Sequence, residues 1–363
     1  LLDRCHAQTP KIEVHAWLVL LPIWTSTTFP TNPAHPSNKF PQYLSKTEGG
    51  SVIATFDPGH PGAEQHMTDV VMELVNNYPD LDGISYDYSR FGAATEGYND
   101  ASVQRFNTRY GRTGTPAPGD PAWSQWRRDQ VTNLIRKTYL CAIAENYNIK
   151  MTSAVVTWHP APGAFVDTRP YYQTFQDWDA WMAEGILDLS MPMAYFDEDG
   201  SYAADYDAWS NFSKSHSYNR GTLIGPGIYM NDVADSIVQI RATRTPSGGK
   251  YAQGVVMYSY ATTNDAGVAG STFFSALANP SPYDPNPTPV FNTAVETPTL
   301  PWKANPTVGH IKGTAAYQGL PVDGQMVYLT GPTSRSIRAD GTGFYGFVDL
   351  PPGSYTVTAT YGS

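Results

Sequence analysis

Asp87 and Arg90 stand three residues apart at the end of the stretch Leu81–Phe91, LDGISYDYSRF, and their types and spacing could do chemistry. A carboxylate beside a guanidinium is held ionised, because the cation lowers the carboxyl pKa. Such a carboxylate suits a nucleophile or a base rather than an acid. The stretch otherwise reads as a buried strand, in which side chains alternate between two faces. Gly83, Ser85 and Asp87 share one face; Ile84, Tyr86 and Tyr88 share the other. If the apolar set packs against helices, Asp87 points inward at the carboxyl end of its strand. Asp82, at the entry end, reads as structural. The alternative reading is a buried Asp87–Arg90 ion pair that ties a loop and does no chemistry.

The elements that must position this pair follow from patterning. HAWLVLL (His15–Leu21) predicts the first strand, followed by a long Pro-rich loop with Trp24, Phe29, His35 and Tyr43. SVIATF (Ser51–Phe56) predicts a minor strand. Met67, Val70, Val71, Leu74, Val75 and Tyr78 recur at helical spacing and predict a helix over about 63–78. Asp100 is expected to cap a helix closed by Gly111, and Asp120-Pro121 to open another in N-cap and N1 order. Further strands are expected at Lys150–Val156, Ile186–Tyr195, Thr222–Tyr229 and Gly254–Tyr260. The helices among them are capped by Asp177 and by Asn231 or Asp232. Near-continuous apolar strands alternating with helices mean a parallel sheet covered by helices. A doubly wound sheet would want a glycine-rich phosphate turn after its first strand, and the sequence has none. The pattern therefore predicts an α/β fold of the (β/α)8 TIM type, with its working residues in the loops after the strands. Six main strands are found, and Leu1 to about Gln8 reads as the end of a helix before the first. The expectation is a barrel lacking its first two βα units in this chain; an open or partial barrel is the alternative.

Residues 281–306 are rich in Pro, Thr and Asn and read as a linker. From His310 onward, short strands joined by turns predict a small all-β sandwich. The expected division is a barrel over 1–280, the linker, and a β-sandwich over 307–363. The net charge of −10 argues against a nucleic-acid partner, since nothing would neutralise phosphates. No apolar run approaches the roughly 20 residues that span a bilayer. Charged residues are 15% while Tyr numbers 24 and Gly 31, a composition that points to a secreted or cell-surface protein. Cys141 reads as a small core residue rather than half of a disulfide with Cys5. The histidines lack zinc-like spacing, and neither a nucleophile elbow nor a P-loop occurs, so no metal or cofactor is expected.

The run FDPGHPGAEQHMTDVVMELVNNYPDLDGISYDYSRF resembles the glycosyl-hydrolase-like family 10 group. So do HAWLVLLP, DPAWSQWRRDQVTNLIRK, FQDWDAWMAEGILDLSMPMAY and GVVMYSY, in that order of blocks, from Leu1 to about Leu277. The resemblance implies a barrel similar to glycoside hydrolases, in a family that begins two strands earlier. It places the family's strand-end aspartate on Asp87 and its following arginine on Arg90. The final segment, GTAAYQGLPVDGQMVYLTG with ADGTGFYGFVDLPPGSYTVTATY, resembles carboxypeptidase-regulatory-like (prealbumin-like) modules, which are non-catalytic parts of surface proteins.

Glycoside hydrolysis needs a second carboxyl group, about 5 Å away for retention and further for inversion. The strand ending at Val156 runs into Trp158 and His159 with no carboxylate. The next gives AYFDED, where Asp197 is the expected acid if burial raises its pKa. The other reading of Asp197, Glu198 and Asp199 is a solvated acidic turn. Trp24, Trp158, Tyr195, Tyr229 and Tyr258 (or Tyr260) follow strands, where rings offer flat apolar faces to pyranoses. Arg90 and His159 complete the expected substrate contacts; His15, at the start of its strand, reads as structural. The expected function is an extracellular glycoside hydrolase acting on a polysaccharide or oligosaccharide. The alternatives are an inactive carbohydrate-binding scaffold on the same fold, and a surface subunit that self-assembles through an open edge of the C-terminal β module.

Overall fold

The computed structural model describes residues 1–26 and 28–360. A short helix, α1 (Leu2–His6), precedes β1 (His15–Val19), and the loop beyond holds α2 (Pro36–Lys39), β2 (Leu44–Lys46) and β3 (Val52–Phe56). Helix α3 (Pro61–Asn77) leads to β4 (Gly83–Asp87). Helices α4 (Asp100–Tyr110) and α5 (Pro121–Glu145) lead to β5 (Lys150–Val156), and α6 (Arg169–Tyr172) and α7 (Trp178–Glu184) to β6 (Leu189–Ala194). Then follow α8 (Ala203–Ser215), β7 (Gly221–Pro226), α9 (Val233–Thr243), β8 (Gly254–Val255) and α10 (Gly270–Ala278).

Six strands form one sheet in the order β1-β4-β5-β6-β7-β8, every pair parallel. A doubly wound sheet reverses its strand order at a switch point; this one never reverses, which is the winding of a TIM-type fold. Among the described residues β1 and β8 are the two edges, and they do not pair with each other. Ile84 and Tyr86 are fully buried in a core shared with Val71 of α3 and Val131, Leu134 and Ile135 of α5. The other face of β4 carries Ser85 and Asp87, both partly accessible. Trp17, level with Ser85 on that face, is 69% exposed at the β1 edge.

Local signals place most boundaries. Asp120 accepts the N–H groups of Ala122 and Trp123 with Pro121 at N1, and Asp177 accepts that of Ala180. Asp232, rather than Asn231, caps α9 through the Asp235 N–H. Gly111 and Gly185 close their helices at φ +61° and +87°, where a side chain is disfavoured. One cap differs from expectation: Asn99, not Asp100, accepts the Ala101 N–H, and Asp100 instead bonds Lys46 from the first turn. The 52–56 strand joins β2 antiparallel and stays outside the main sheet. Regular pairing of the last strand stops at Val255, although the Val256 and Tyr258 N–H groups still reach Ile224 O and Pro226 O.

The amino ends of the strands are stapled by charge. Asp82 accepts from Lys11, His6 and the Val14 N–H. Burial works to raise its pKa, but these donors prevail and lower it. Buried Asp188 is held by Trp302 and Lys303 of α11 (Pro301–Ala304) and by the Met151 N–H.

The remaining strands are β9 (Gly309–Thr314), β10 (Ala316–Tyr317), β11 (Leu320–Pro321), β12 (Met326–Thr330), β13 (Arg335–Arg338), β14 (Phe344–Leu350) and β15 (Thr356–Ala359). Sheets β13-β12-β15 and β14-β9 close over Val327, Leu329, Phe347 and Leu350. This unit sits against α4 and α5. Asp323 takes Arg105 and Arg109, and Lys137 donates to Thr342. Gly346 allows the close approach: a Cβ there would lie 2.1 Å from Leu140 Cδ1, which would have to move. Behind these pairs, fully buried Glu64 faces Asp340, and neither oxygen of Glu64 nor Oδ2 of Asp340 accepts a hydrogen bond.

Lys137 Nζ lies 3.8 Å from that Asp340 oxygen, and a carboxyl group buried beside another carboxyl is favoured in its neutral form. Burial first, and Asp340 second, raise the Glu64 pKa well above its ordinary 4.5. A raised folded pKa stabilises the fold fully below the unfolded value and loses that stability as pH rises through the folded one. Glu64→Gln keeps the donor without the ionisation. We expect wild type to melt at a lower temperature at pH 8 than at pH 5, and Glu64→Gln to flatten that difference in scanning calorimetry.

Candidate active site

The site begins where β4 breaks. Asp87, its last residue, accepts the N–H of Tyr88 through Oδ1 at 2.7 Å. Tyr88 has φ +49°, a left-handed backbone that costs a residue with a Cβ about 1–2 kcal/mol. Strain of this kind persists only where its surroundings enforce it. The enforcement lies one residue on. Buried Ser89 bonds Ser153 of β5 at 2.9 Å and accepts from Gln176 at 3.1 Å. Gln176, also buried, accepts the Val156 N–H at 2.8 Å and donates to Ala154 O at 3.3 Å. Trp178 donates to Val156 O at 3.2 Å. The carboxyl ends of β4 and β5 are thereby tied through one amide.

Past the break, Arg90 enters a cavity of about 560 Å³ at the carboxyl ends of β5–β7. Trp158, His159, Tyr195, Asp197 and Tyr229 also line it, with Arg169, Met193 and Tyr202. Arg90 stacks over Tyr88 (4.7 Å) and Trp158 (5.4 Å) and forms no ion pair with Asp87. Burial lowers its pKa, opposed by Tyr88, Asp87 and Glu96. Arg169 packs on the same indole at 4.9 Å. His159 bonds Asp205 at 2.7 Å and stacks on Tyr202 at 3.8 Å.

Three tyrosines form one cluster. Tyr195 stacks on Tyr258 at 5.3 Å, and Tyr229 meets both edge-on. Burial, then Tyr258, Asp87 and Tyr229, raise the Tyr195 pKa; its phenol therefore feels the Asp87 carboxylate. Asp197 is exposed and accepts the Asp199 N–H at 3.1 Å. Its loop is fixed from below by buried Asn231, which accepts the Glu198 N–H and donates to Phe196 O. On α9 nearby, burial and then Asp232, Asp199, Glu198 and Asp197 raise Asp235 to about 6.

Of the expected residues, Arg90, Trp158, His159, Tyr195, Asp197 and Tyr229 thus share one cavity. Tyr258 packs on its wall, and Asp87 adjoins it at the neighbouring strand end. Trp24 lies apart, its indole N–H on Thr28 O and its ring edge-on to His35. Tyr260 is 86% exposed against Phe274, also apart. Arg169, Tyr202, Ser89 and Gln176 were not legible as site residues. The one available signal was a Gln beside the Asp177 cap in an otherwise apolar run. Among the described residues no group of three or more His, Cys, Asp or Glu is placed to hold a metal ion, and no helix is long and apolar enough to cross a membrane.

A parallel sheet wound in one sense, with its cavity over the carboxyl ends of the strands, defines an α/β protein of the TIM-like class. The β-galactosidase from the psychrophilic Marinomonas ef1 shares the fold at a TM-score of 0.53 and 11% identity, over 71% of this chain and 45% of that one. Residues 1–242 match the family Glycosyl hydrolase-like 10, and the chain belongs to that family. The Glycosyl hydrolase DigH of Escherichia coli (strain K12) and that of Shigella flexneri are each 26% identical to it over 230 residues, 57% of this chain and 47% of theirs. The chain spans about half the length of the curated relatives it matches.

Gln176→Leu would leave the Val156 N–H and the Ser89–Ser153 pair short of partners. We expect a loss of about 1–3 kcal/mol, read as a lower midpoint in urea, with an unchanged slope.

Proposed function

We propose that this chain is the core of a glycoside hydrolase acting on a polysaccharide, with Asp87 as nucleophile or base and Asp197 as the acid. The observation that carries the reading is the cavity itself, where an indole and stacked phenols lie at strand ends beside a partly accessible carboxylate. Sugar rings bind such surfaces through their apolar faces. In a retaining course, Asp87 attacks the anomeric carbon while Asp197 gives its proton to the leaving oxygen. Water then cleaves the ester and returns a proton to Asp197. In an inverting course, Asp87 takes a proton from the attacking water instead.

A second reading, carbohydrate binding without turnover, draws on the acid. Asp197 is exposed, and the carboxyl of that group with a raised pKa, Asp235, does not line the cavity. In both readings the protein is secreted or on the cell surface. The C-terminal strands are then a carboxypeptidase-regulatory-like module that presents the TIM-like unit or joins it to further copies.

A panel of polysaccharides assayed for new reducing ends separates the two. We expect wild type to cleave at least one, and Asp87→Asn to lose about 1,000-fold or more in kcat/KM while still binding it. Binding without cleavage by wild type, unchanged in Asp87→Asn, favours the second reading.

A further inference from the structure

Arg90 and Arg169 differ from most of the partly buried arginines among the described residues by what they lack. Arg105 and Arg109 pair with Asp323, Arg136 with Glu184, Arg220 with Asp349 and Arg241 with Asp284. Arg127 has no ion pair but spends its guanidinium on the carbonyls of Ala94, Glu96 and Pro118. The two cavity arginines have no ion pair among the described residues, and each makes a single hydrogen bond. Arg169 donates from Nε to Gln173 Oε1 at 2.8 Å, which leaves both terminal nitrogens uncommitted. Among the described residues Arg90 donates to Phe91 O alone, at 3.3 Å, and its Nε is buried without a partner. The carboxylates nearby accept other donors: Asp205 takes His159, Asp197 the Asp199 N–H, Asp87 the Tyr88 N–H and Glu96 the Gly92 N–H; Asp87 and Glu96 favour the charged Arg90 from a distance without pairing with it.

A guanidinium stacked on an aromatic ring keeps its planar fork of donors free in the ring's plane, and that fork matches the two oxygens of a carboxylate. Two such forks on one indole, both lining a 560 Å³ cavity, are a poor arrangement for a neutral sugar, because filling the cavity would desolvate two cations that have no ion pair. We propose that the cavity takes an acidic saccharide, with a sugar carboxylate paired to Arg169 and Arg90 and a neighbouring ring laid on the Tyr195 and Tyr229 faces. This rests on the carbohydrate reading above and adds the substrate's charge to it.

The test is binding, so that it does not depend on turnover. Tetrasaccharides of galacturonate, of hyaluronan and of alginate are titrated calorimetrically beside their carboxyl-reduced counterparts, with a sulfated carrageenan tetrasaccharide as a further arm. We expect at least one carboxylate tetrasaccharide to bind about 10-fold or more tightly than its reduced form, with an affinity that falls as salt rises. Arg169→Gln should remove that preference, and Arg169→Lys should restore part of it. Equal affinity for every acidic and reduced pair, including no binding by either, overturns the proposal. So does an Arg169→Gln variant that keeps the preference, or preference for the sulfated probe alone. Cleavage of a neutral glycan with no acidic preference sinks the proposal and leaves the hydrolase reading standing. Acidic preference without cleavage does the reverse.

Discussion

Parallel pairing in chain order is the constraint from which the rest of this molecule follows. It sends every carboxyl end of β4–β7 to one rim and every amino end to the other. Backbone hydrogen bonds stop at the rim, so something must satisfy the groups that the sheet leaves behind. At β4 and β5 that something is the Gln176 amide, which spends both donors and its oxygen on Ser89, Ala154 and the Val156 N–H. The same tie holds the left-handed turn at Tyr88, and the turn is what brings Arg90 into the cavity and leaves Asp87 at its edge.

The two rims treat charge in opposite ways. At the amino ends, Asp82, Glu13 and Asp188 each meet one or more cations, and the pairs close the structure. The seat of the C-terminal strands works likewise, with Asp323 between two arginines and Asp349 on Arg220. At the carboxyl ends the arginines lie on rings instead of on carboxylates. A parallel sheet covered on one face by helices provides this division, because the entry loops are short and the exit loops carry the variable chemistry.

Much of this was legible in the sequence, for reasons that are local. Alternation fixed which face of 83–87 meets the helices, and Asp120-Pro121, Asp177 and Gly185 carried helix ends in their own side chains. Asp87 and Arg90 could be placed at a strand end, since three residues is too short a span for the fold to overrule. The parts that resisted are those set by distance. Arg169 comes to Trp158 across ten intervening residues, and no periodicity marks it. Gln176 acts through a turn in which Phe175 has φ +55°, unusual for an aromatic residue. Trp24 reads as equal to Trp158, yet its long loop folds it onto His35. The 52–56 strand obeys its β-propensity but finds its partner in its own loop, a choice that propensity cannot express.

The most direct test of the central claim, that the carboxyl rim holds a sugar, is diffraction from a crystal of Asp87→Asn soaked with the tightest-binding oligosaccharide. The account predicts density for a sugar ring against Trp158 or Tyr195, within the cavity between Arg90 and Tyr229. A ring bound instead on the amino rim or on the C-terminal strands, with the cavity empty at saturating ligand, would contradict it.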